Sequence, residues 1–320
     1  MNQTYFLGAN SKDGFASLYR YFPGGPEDFL HIIKGGPGTG KSSFMRRIGK
    51  AAQAQGLDVH YVLCSGDPDS LDGVYLPALH LGWMDGTAPH VAEPRFFGVD
   101  ADYVNLGRFC RLPLDERDRD RALALNREYK ARYDTAYRHL AAAAALEKAE
   151  ELHDAAAAQE EVQRVGKILD TLPDREGGAC RKERRFLSAI SCQGMLHLHD
   201  TVNLLCKQIY HLRGHAVLEQ AAALAEKKTG QLILCPRPLR PDQLEAVLLP
   251  EQGIAFMRVP AAVKVPQGEC LQSERALAAG IEELRAAKAL HDKLEAIYRP
   301  YMDFDALTRS TDENIERLFA

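Results

Sequence analysis

Short apolar runs ending in glycine or an acid alternate with longer stretches of helical period, the pattern of an α/β protein. Residues 29–33 read FLHII, as expected of a buried strand, and a helical pattern follows at about 42–55 until Gly56 stops it. Residues 58–67 form a β-rich stretch ending at Asp67, and 81–85 a short apolar stretch ending at Asp85 before a turn. Residues 115–172, bounded by Pro113 and Pro173, carry Tyr129, Tyr133, Tyr137 and Leu140 on one helical stripe. Leu146, Leu152, Val162, Val165 and Leu169 continue that stripe less regularly, which predicts a long helix or a helical hairpin. A second helical stretch at about 272–298 is broken by Pro300, and an amphipathic helix is expected at 311–319.

Between the first strand and the first helix stands Gly35-Gly36-Pro37-Gly38-Thr39-Gly40-Lys41-Ser42, a full match to G-x-x-x-x-G-K-[ST]. A loop that wraps phosphate oxygens needs inward-pointing amides and a chain free of Cβ at several positions, hence the glycines. The helix that follows aims its partial positive charge at the same anion. These residues, together with Ser43, are the expected nucleotide contacts; Lys41 is placed to meet the β- and γ-phosphates, and the Ser42 hydroxyl to bind Mg²⁺. The segment resembles the P-loop NTPase superfamily, which implies a parallel sheet with flanking helices and a nucleoside triphosphate with Mg²⁺ as ligand. The absence of an N-K-x-D base-reading motif points to ATP.

A second metal carboxylate is expected at the end of a later strand, beyond which ligands of open α/β sheets lie. Asp85 is the preferred residue and Asp67 the alternative, with an Asx-turn as the purely structural role for Asp85. Many ATPases carry a Glu directly after this Asp; here Gly86 stands there, so an activating base has to come from elsewhere. Asp67 and Asp69 are the candidates, and His90 in DGTAPH reads as structural or as facing the phosphates.

The second half echoes the first. FLGANSKDG at 6–14 returns as FLSAISCQG at 186–194, and FLHIIKG at 29–35 as QIYHLRG ending at Gly214. Residues 62–64 match 232–235 with Cys64 on Cys235, and LDGVYLPALHLGWMD at 71–85 matches LEAVLLPEQGIAFMR at 244–258. The second half lacks the glycine loop, the Lys and the Ser, and the position of Asp85 becomes Arg258. It reads as a degenerate copy, with Arg213 or Arg258 as a conceivable arginine finger for the intact site or as plain surface or ion-paired residues.

Composition narrows the class. Hydrophobic residues make up 46% and charged residues 26% of 320, so disorder is excluded. The net charge of −4 argues against a general nucleic-acid binder. Seven cysteines (64, 110, 180, 192, 206, 235 and 270) without a C-x-x-C pair read as free thiols of a reducing compartment. With no signal-peptide pattern and no apolar run of about 18 residues, a cytoplasmic protein without membrane contact is expected. The tyrosine stripe could stack on bases, but core or hairpin packing is the simpler role. The expected divisions are a P-loop domain at 1–113, a helical insertion at 114–180, a degenerate repeat at 181–270 and C-terminal helices at 271–320.

YFLGANSKDGF, KGGPGTGKS, CSGDPDSLDG, DGTAPH and HDKLEAIYRPYMDF together resemble an uncharacterised ATPase-like family of Gram-positive bacteria. The resemblance covers nearly the whole chain and implies ATP binding and tandem P-loop-type halves. In that family the second half often keeps its own P-loop; this sequence departs there. Three functions are open at this point: an Mg-ATP hydrolase, a nucleotide-sensing switch or scaffold that meets a protein partner through its helical segments, and a small-molecule kinase.

Overall fold

The computed structural model describes residues 2–150, 155–175, 179–213, 215–259 and 271–320. Leu152, Gly214 and Cys270, all named above, lie outside them. The chain is α/β with mixed sheets and seven helices among the described residues. The first unit contains β1 (Gln3–Phe6), the hairpin β2 (Gly8–Ser11) and β3 (Gly14–Ser17), β4 (Phe29–Lys34), α1 (Lys41–Ala54), β5 (His60–Leu63), β6 (Leu71–Leu76), β7 (Leu81–Asp85) and β8 (Ala101–Asn105). Two helices follow, α2 (Glu116–Glu150) and α3 (Ala155–Asp170). The second unit contains β9 (Arg181–Arg184), the hairpin β10 (Ser188–Ser191) and β11 (Gly194–His197), α4 (His199–Leu205), β12 (Gln208–Arg213), α5 (His215–Ala225), β13 (Gln231–Pro236), β14 (Leu244–Leu249) and β15 (Ile254–Val259). The chain closes with α6 (Gln272–Tyr298) and α7 (Phe304–Phe319).

The first sheet runs β1-β5-β6-β7-β4-β8. A wholly parallel sheet is not what forms, because β6 is antiparallel to both β5 and β7. The cause is local: only a 3₁₀ turn at Pro77–Leu79 and a left-handed His80 (φ 53°) join β6 to β7, and so short a link reverses the chain. The parallel pairs are β1 with β5, β7 with β4 and β4 with β8.

The second sheet runs β12-β15-β14-β13-β9 and repeats the sense of every pairing from β4 through β1. A second 3₁₀ turn, Pro250–Gln252, with left-handed Gly253 joins β14 to β15. Both sheets shift register at the matching point, between Val62 and Leu63 and between Cys235 and Pro236. That register corrects one alignment. Cys235 faces Ala246 as Val62 faces Gly73, so Arg237, not Cys235, takes the place of Cys64. Pairing from the turn outward decides this, and similarity of side chains two residues away does not.

One face of the first sheet packs on α1 around Ile33, Phe44, Met45, Ile48 and Trp83. Met302 and Leu307 belong to the same core, so 271–320 does not stand apart from the first unit. Asp303 starts α7 by accepting the Ala306 amide, a cap that sets its start seven residues before the expected 311. The tyrosine stripe of α2 lies along α6: Leu140 and Tyr137 pack with Leu277 and Leu284, and Ala122 with Leu294 and Ile297. The two helices are therefore antiparallel, and a Cβ at Gly280 would come within 3.0 Å of Leu140 Cδ2. Core packing against a helix distant in sequence, and not pairing within a 115–172 hairpin, is thus the role of the stripe. The α3 helix packs instead on α5 through Val165, Leu169, Leu218 and Ala221.

Candidate functional site

The loop after β4 winds into α1 through two left-handed glycines, Gly38 (φ 69°) and Gly40 (φ 84°). Residues with a Cβ rarely adopt this backbone, and it turns successive amides toward one side. Thr39 pins the turn by donating its hydroxyl to the Gly36 carbonyl at 2.8 Å. Lys41 opens α1 and folds back into the loop, where its Nζ donates to the Gly35 and Gly36 carbonyls, each at 3.0 Å. The same ammonium lies 3.6 Å from Asp85 Oδ2. Pro37 is half-buried within the loop, and Ser43 is exposed on the first turn of α1.

Asp85 ends β7 opposite Ile33 of β4, the pairing that brings its carboxylate beside the loop. It is buried, and its Oδ1 accepts from the Thr87 amide at 2.9 Å and the Thr87 hydroxyl at 2.6 Å. So the Asx-turn forms on one oxygen while the other faces Lys41. A Cβ on Gly86 would run into Ile32 Cγ2, which accounts for the missing Glu at this position. The Ser42 hydroxyl accepts the Leu71 amide at 2.9 Å and so ties α1 to the start of β6.

The C-terminal helices cover the loop. The Gly38 amide donates to Glu295 Oε1 of α6 at 3.3 Å, and a Cβ on Gly40 would lie 2.9 Å from Leu307 Cδ2 of α7. The carboxylate of Glu295 is thus an anion held by a loop amide.

Asp67 and Asp69 point elsewhere. Asp67 accepts the Ser70 hydroxyl at 3.0 Å and lies 3.5 Å from Lys288 Nζ of α6. Asp69 accepts from Gln193 Nε2 at 3.0 Å, joining the two units. Among the described residues neither carboxylate is hydrogen-bonded or ion-paired to Lys41. Arg213 and Arg258 sit at the carboxyl ends of the adjacent strands β12 and β15 in the second sheet, where the Arg213 amide donates to Glu161 at 2.6 Å. None of the loop contacts given above involves either arginine.

Beside Asp85 packs a group of which sequence reasoning named only His90. Asp72, on β6, is buried and accepts the Tyr19 hydroxyl at 2.5 Å. Its Oδ1 is 3.6 Å from His90 Nε2, and the His90 ring stacks on Tyr19 at 4.6 Å between centroids. Burial raises the pKa of Asp72 above the usual carboxylate range; His90 and the Tyr19 hydroxyl oppose the shift and Asp85 adds to it. Burial likewise raises the Cys64 thiol well above its ordinary value, with Asp72 adding to the effect. Of Tyr19, Asp72 and His90 the sequence points only to His90, because the three come from separate segments of the chain.

No family model, curated protein or solved structure matches this chain. No described helix is long and apolar enough to cross a membrane.

Proposed function

We propose that residues 35–42 hold the triphosphate of Mg-ATP, and that the chain hydrolyses it at this N-terminal site. The observation that carries the reading is Lys41: one ammonium, bound to the glycine turn and 3.6 Å from a buried strand-end carboxylate. Left-handed Gly38 and Gly40 and the start of α1 supply amides for phosphate oxygens, and the Gly38 amide already holds an anionic oxygen. Ser42 and Asp85 offer hard oxygens of the type Mg²⁺ prefers, and the Ser42 hydroxyl keeps a lone pair after accepting from Leu71. When bound, the magnesium ion would neutralise charge building on the phosphoryl oxygens. Lys41 would move from the loop carbonyls to the phosphates, and Asp85 would orient the ion's water.

The second unit is read as a degenerate copy of a P-loop-type half. Its support is the shared pairing pattern together with α5 starting two residues after β12, where the first unit has a six-residue glycine loop. Arg258 stands at the position of Asp85, so the metal carboxylate is replaced by a guanidinium.

A second reading, a nucleotide-responsive switch, is favoured by one observation: α6 and α7 lie on the loop through Glu295 and Leu307. Nucleotide entry has to displace the Glu295 carboxylate, which couples occupancy to the helical arm.

The test is calorimetric binding of Mg-ATP and phosphate release for wild type, Lys41→Ala and Asp85→Ala. Wild type is expected to bind and turn over, Lys41→Ala to lose binding, and Asp85→Ala to bind without turnover. Wild-type protein that does not bind Mg-ATP sinks the reading; binding with negligible turnover moves it to the switch.

A further inference from the structure

The first unit carries a polar cluster that nucleotide binding does not explain. Ligand atoms of Asp72, Asp85 and His90, all three buried, lie within 4.8 Å of one another. His90 is only 8% exposed, and among the described residues neither of its ring nitrogens has a hydrogen-bond partner. An imidazole buried in this way costs on the order of 1–3 kcal/mol for each polar atom left unmet. Its Nε2 is aimed at Asp72 Oδ1 across 3.6 Å, too long for a hydrogen bond.

The supports around the cluster are those of a ligand set. Tyr19 holds Asp72 by Oδ2 and leaves Oδ1 toward His90. Thr87 holds Asp85 by Oδ1 with two hydrogen bonds and leaves Oδ2 open to a cation, where Lys41 stands at 3.6 Å. Stacking on Tyr19 fixes the plane of the His90 ring. The two carboxylates are thus oriented from outside by hydrogen bonds, as metal ligands commonly are, and the imidazole by stacking alone. Bonds of about 2.1 Å would place neighbouring ligand atoms roughly 3.0–3.4 Å apart, a few tenths of an ångström inside the His90–Asp72 separation. Tyr19, Met84, His90 and Glu93 also line a cleft of about 510 Å³, so the cluster borders open space on the His90 side.

We propose that Asp72, Asp85 and His90 form a divalent transition-metal site that fills without nucleotide. Imidazole with two carboxylates suits Mn²⁺, Fe²⁺ or Zn²⁺ better than Mg²⁺, which takes oxygen ligands. Two carboxylates against one ammonium leave an uncompensated negative charge in a buried place, and a dication relieves it. Asp85 belongs to this cluster and also neighbours Lys41, so the site adjoins the proposed nucleotide pocket without depending on it.

The experiment titrates Mn²⁺ into full-length protein with no nucleotide, following loss of the free-ion EPR signal. One equivalent is expected to bind wild type, and His90→Gln and Asp72→Asn are each expected to weaken binding at least about tenfold. His31→Gln, which removes the half-buried histidine paired with Asp102, is the control and should leave affinity unchanged. Pulsed EPR of the wild-type Mn²⁺ complex should show coupling to an imidazole nitrogen, a readout that holds even where a variant fails to fold. No stoichiometric binding at millimolar Mn²⁺, no nitrogen coupling, or folded variants with wild-type affinity would each overturn the site. Because nucleotide is absent throughout, failure here leaves the ATP reading untouched, and failure of that reading leaves this one standing.

Discussion

The Phe6 amide donates to the Phe186 carbonyl at 3.0 Å, and the Phe186 amide donates back to the Phe6 carbonyl at 2.9 Å. The two residues hold the same place in their units, each two positions before its hairpin (β2–β3 and β10–β11), and both are wholly buried. A reciprocal exchange between like positions is the signature of an isologous, two-fold contact. Beside it Asn10 Nδ2 donates to the Ile190 carbonyl at 2.8 Å, again between matching positions of the two hairpins. The halves are therefore joined at this bridge by backbone as well as by packing.

Phe6→Ala and Phe186→Ala are each expected to destabilise the protein by about 3–5 kcal/mol, the usual range for emptying a filled aromatic site. Because the rings share one core, the double variant should lose less than the sum. Urea denaturation of the two single variants and the double variant measures both points; additive losses would mean the halves fold independently at this junction.

Glu295→Gln removes the negative charge that the Gly38 amide holds while keeping an acceptor oxygen. Affinity for Mg-ATP is expected to rise about fivefold, a modest gain because the glutamate is half-exposed. Calorimetry reads the change; an unchanged or weaker Kd would mean that the carboxylate does not compete for the loop.

Gly86→Ala tests why no acid follows Asp85. The added methyl meets Ile32 Cγ2, so a loss of about 1–3 kcal/mol is expected. Gly86→Glu should be at least as destabilising and should not raise turnover. Thermal denaturation and phosphate release check the pair; a stable, faster Gly86→Glu enzyme would show that the position tolerates a base.

Glu245 in the second unit occupies the position of Asp72 and accepts the Ser188 hydroxyl at 2.6 Å. Burial lifts its pKa to about 7, against which Ser188 and Arg237 act. The folded state thus binds a proton that the unfolded state releases near pH 4.5, so the carboxyl's contribution falls as pH rises from there to about 7. Across that window the loss is of order 3 kcal/mol. Glu245→Gln, which cannot ionise, should flatten this slope in chemical denaturation measured at several pH values; an unaltered slope would assign it to other groups.

Local signals made several elements legible. FLHII, the glycine run and Gly56 bound β4 and α1 to within a residue, and α6 spans the expected 272–298. The β6–β7 reversal was hidden because its left-handed residue is His80 and not glycine. The early start of α7 turns on the single cap Asp303, and the Cys64–Cys235 match failed because strand register is set by pairing, which composition does not record. Lys41 and Asp85 were readable from a motif and a strand end. His90 was singled out without its partners, and Asp72 and Glu295 were not, because each joins the site through the fold and comes from a different segment of the chain.

The 27 residues of α6 form one rod. Near its C-terminal end Glu295 touches the glycine loop, and near its N-terminal end Ala276 and Leu277 pack in the cluster that holds Ile190 and Leu239 of the second unit. Those ends are roughly 30 Å apart at 1.5 Å per residue. Pivoting such a beam by a few degrees at the loop displaces its far tip by an ångström or two. Geometry alone thereby makes the helix a mechanical amplifier between the lobes.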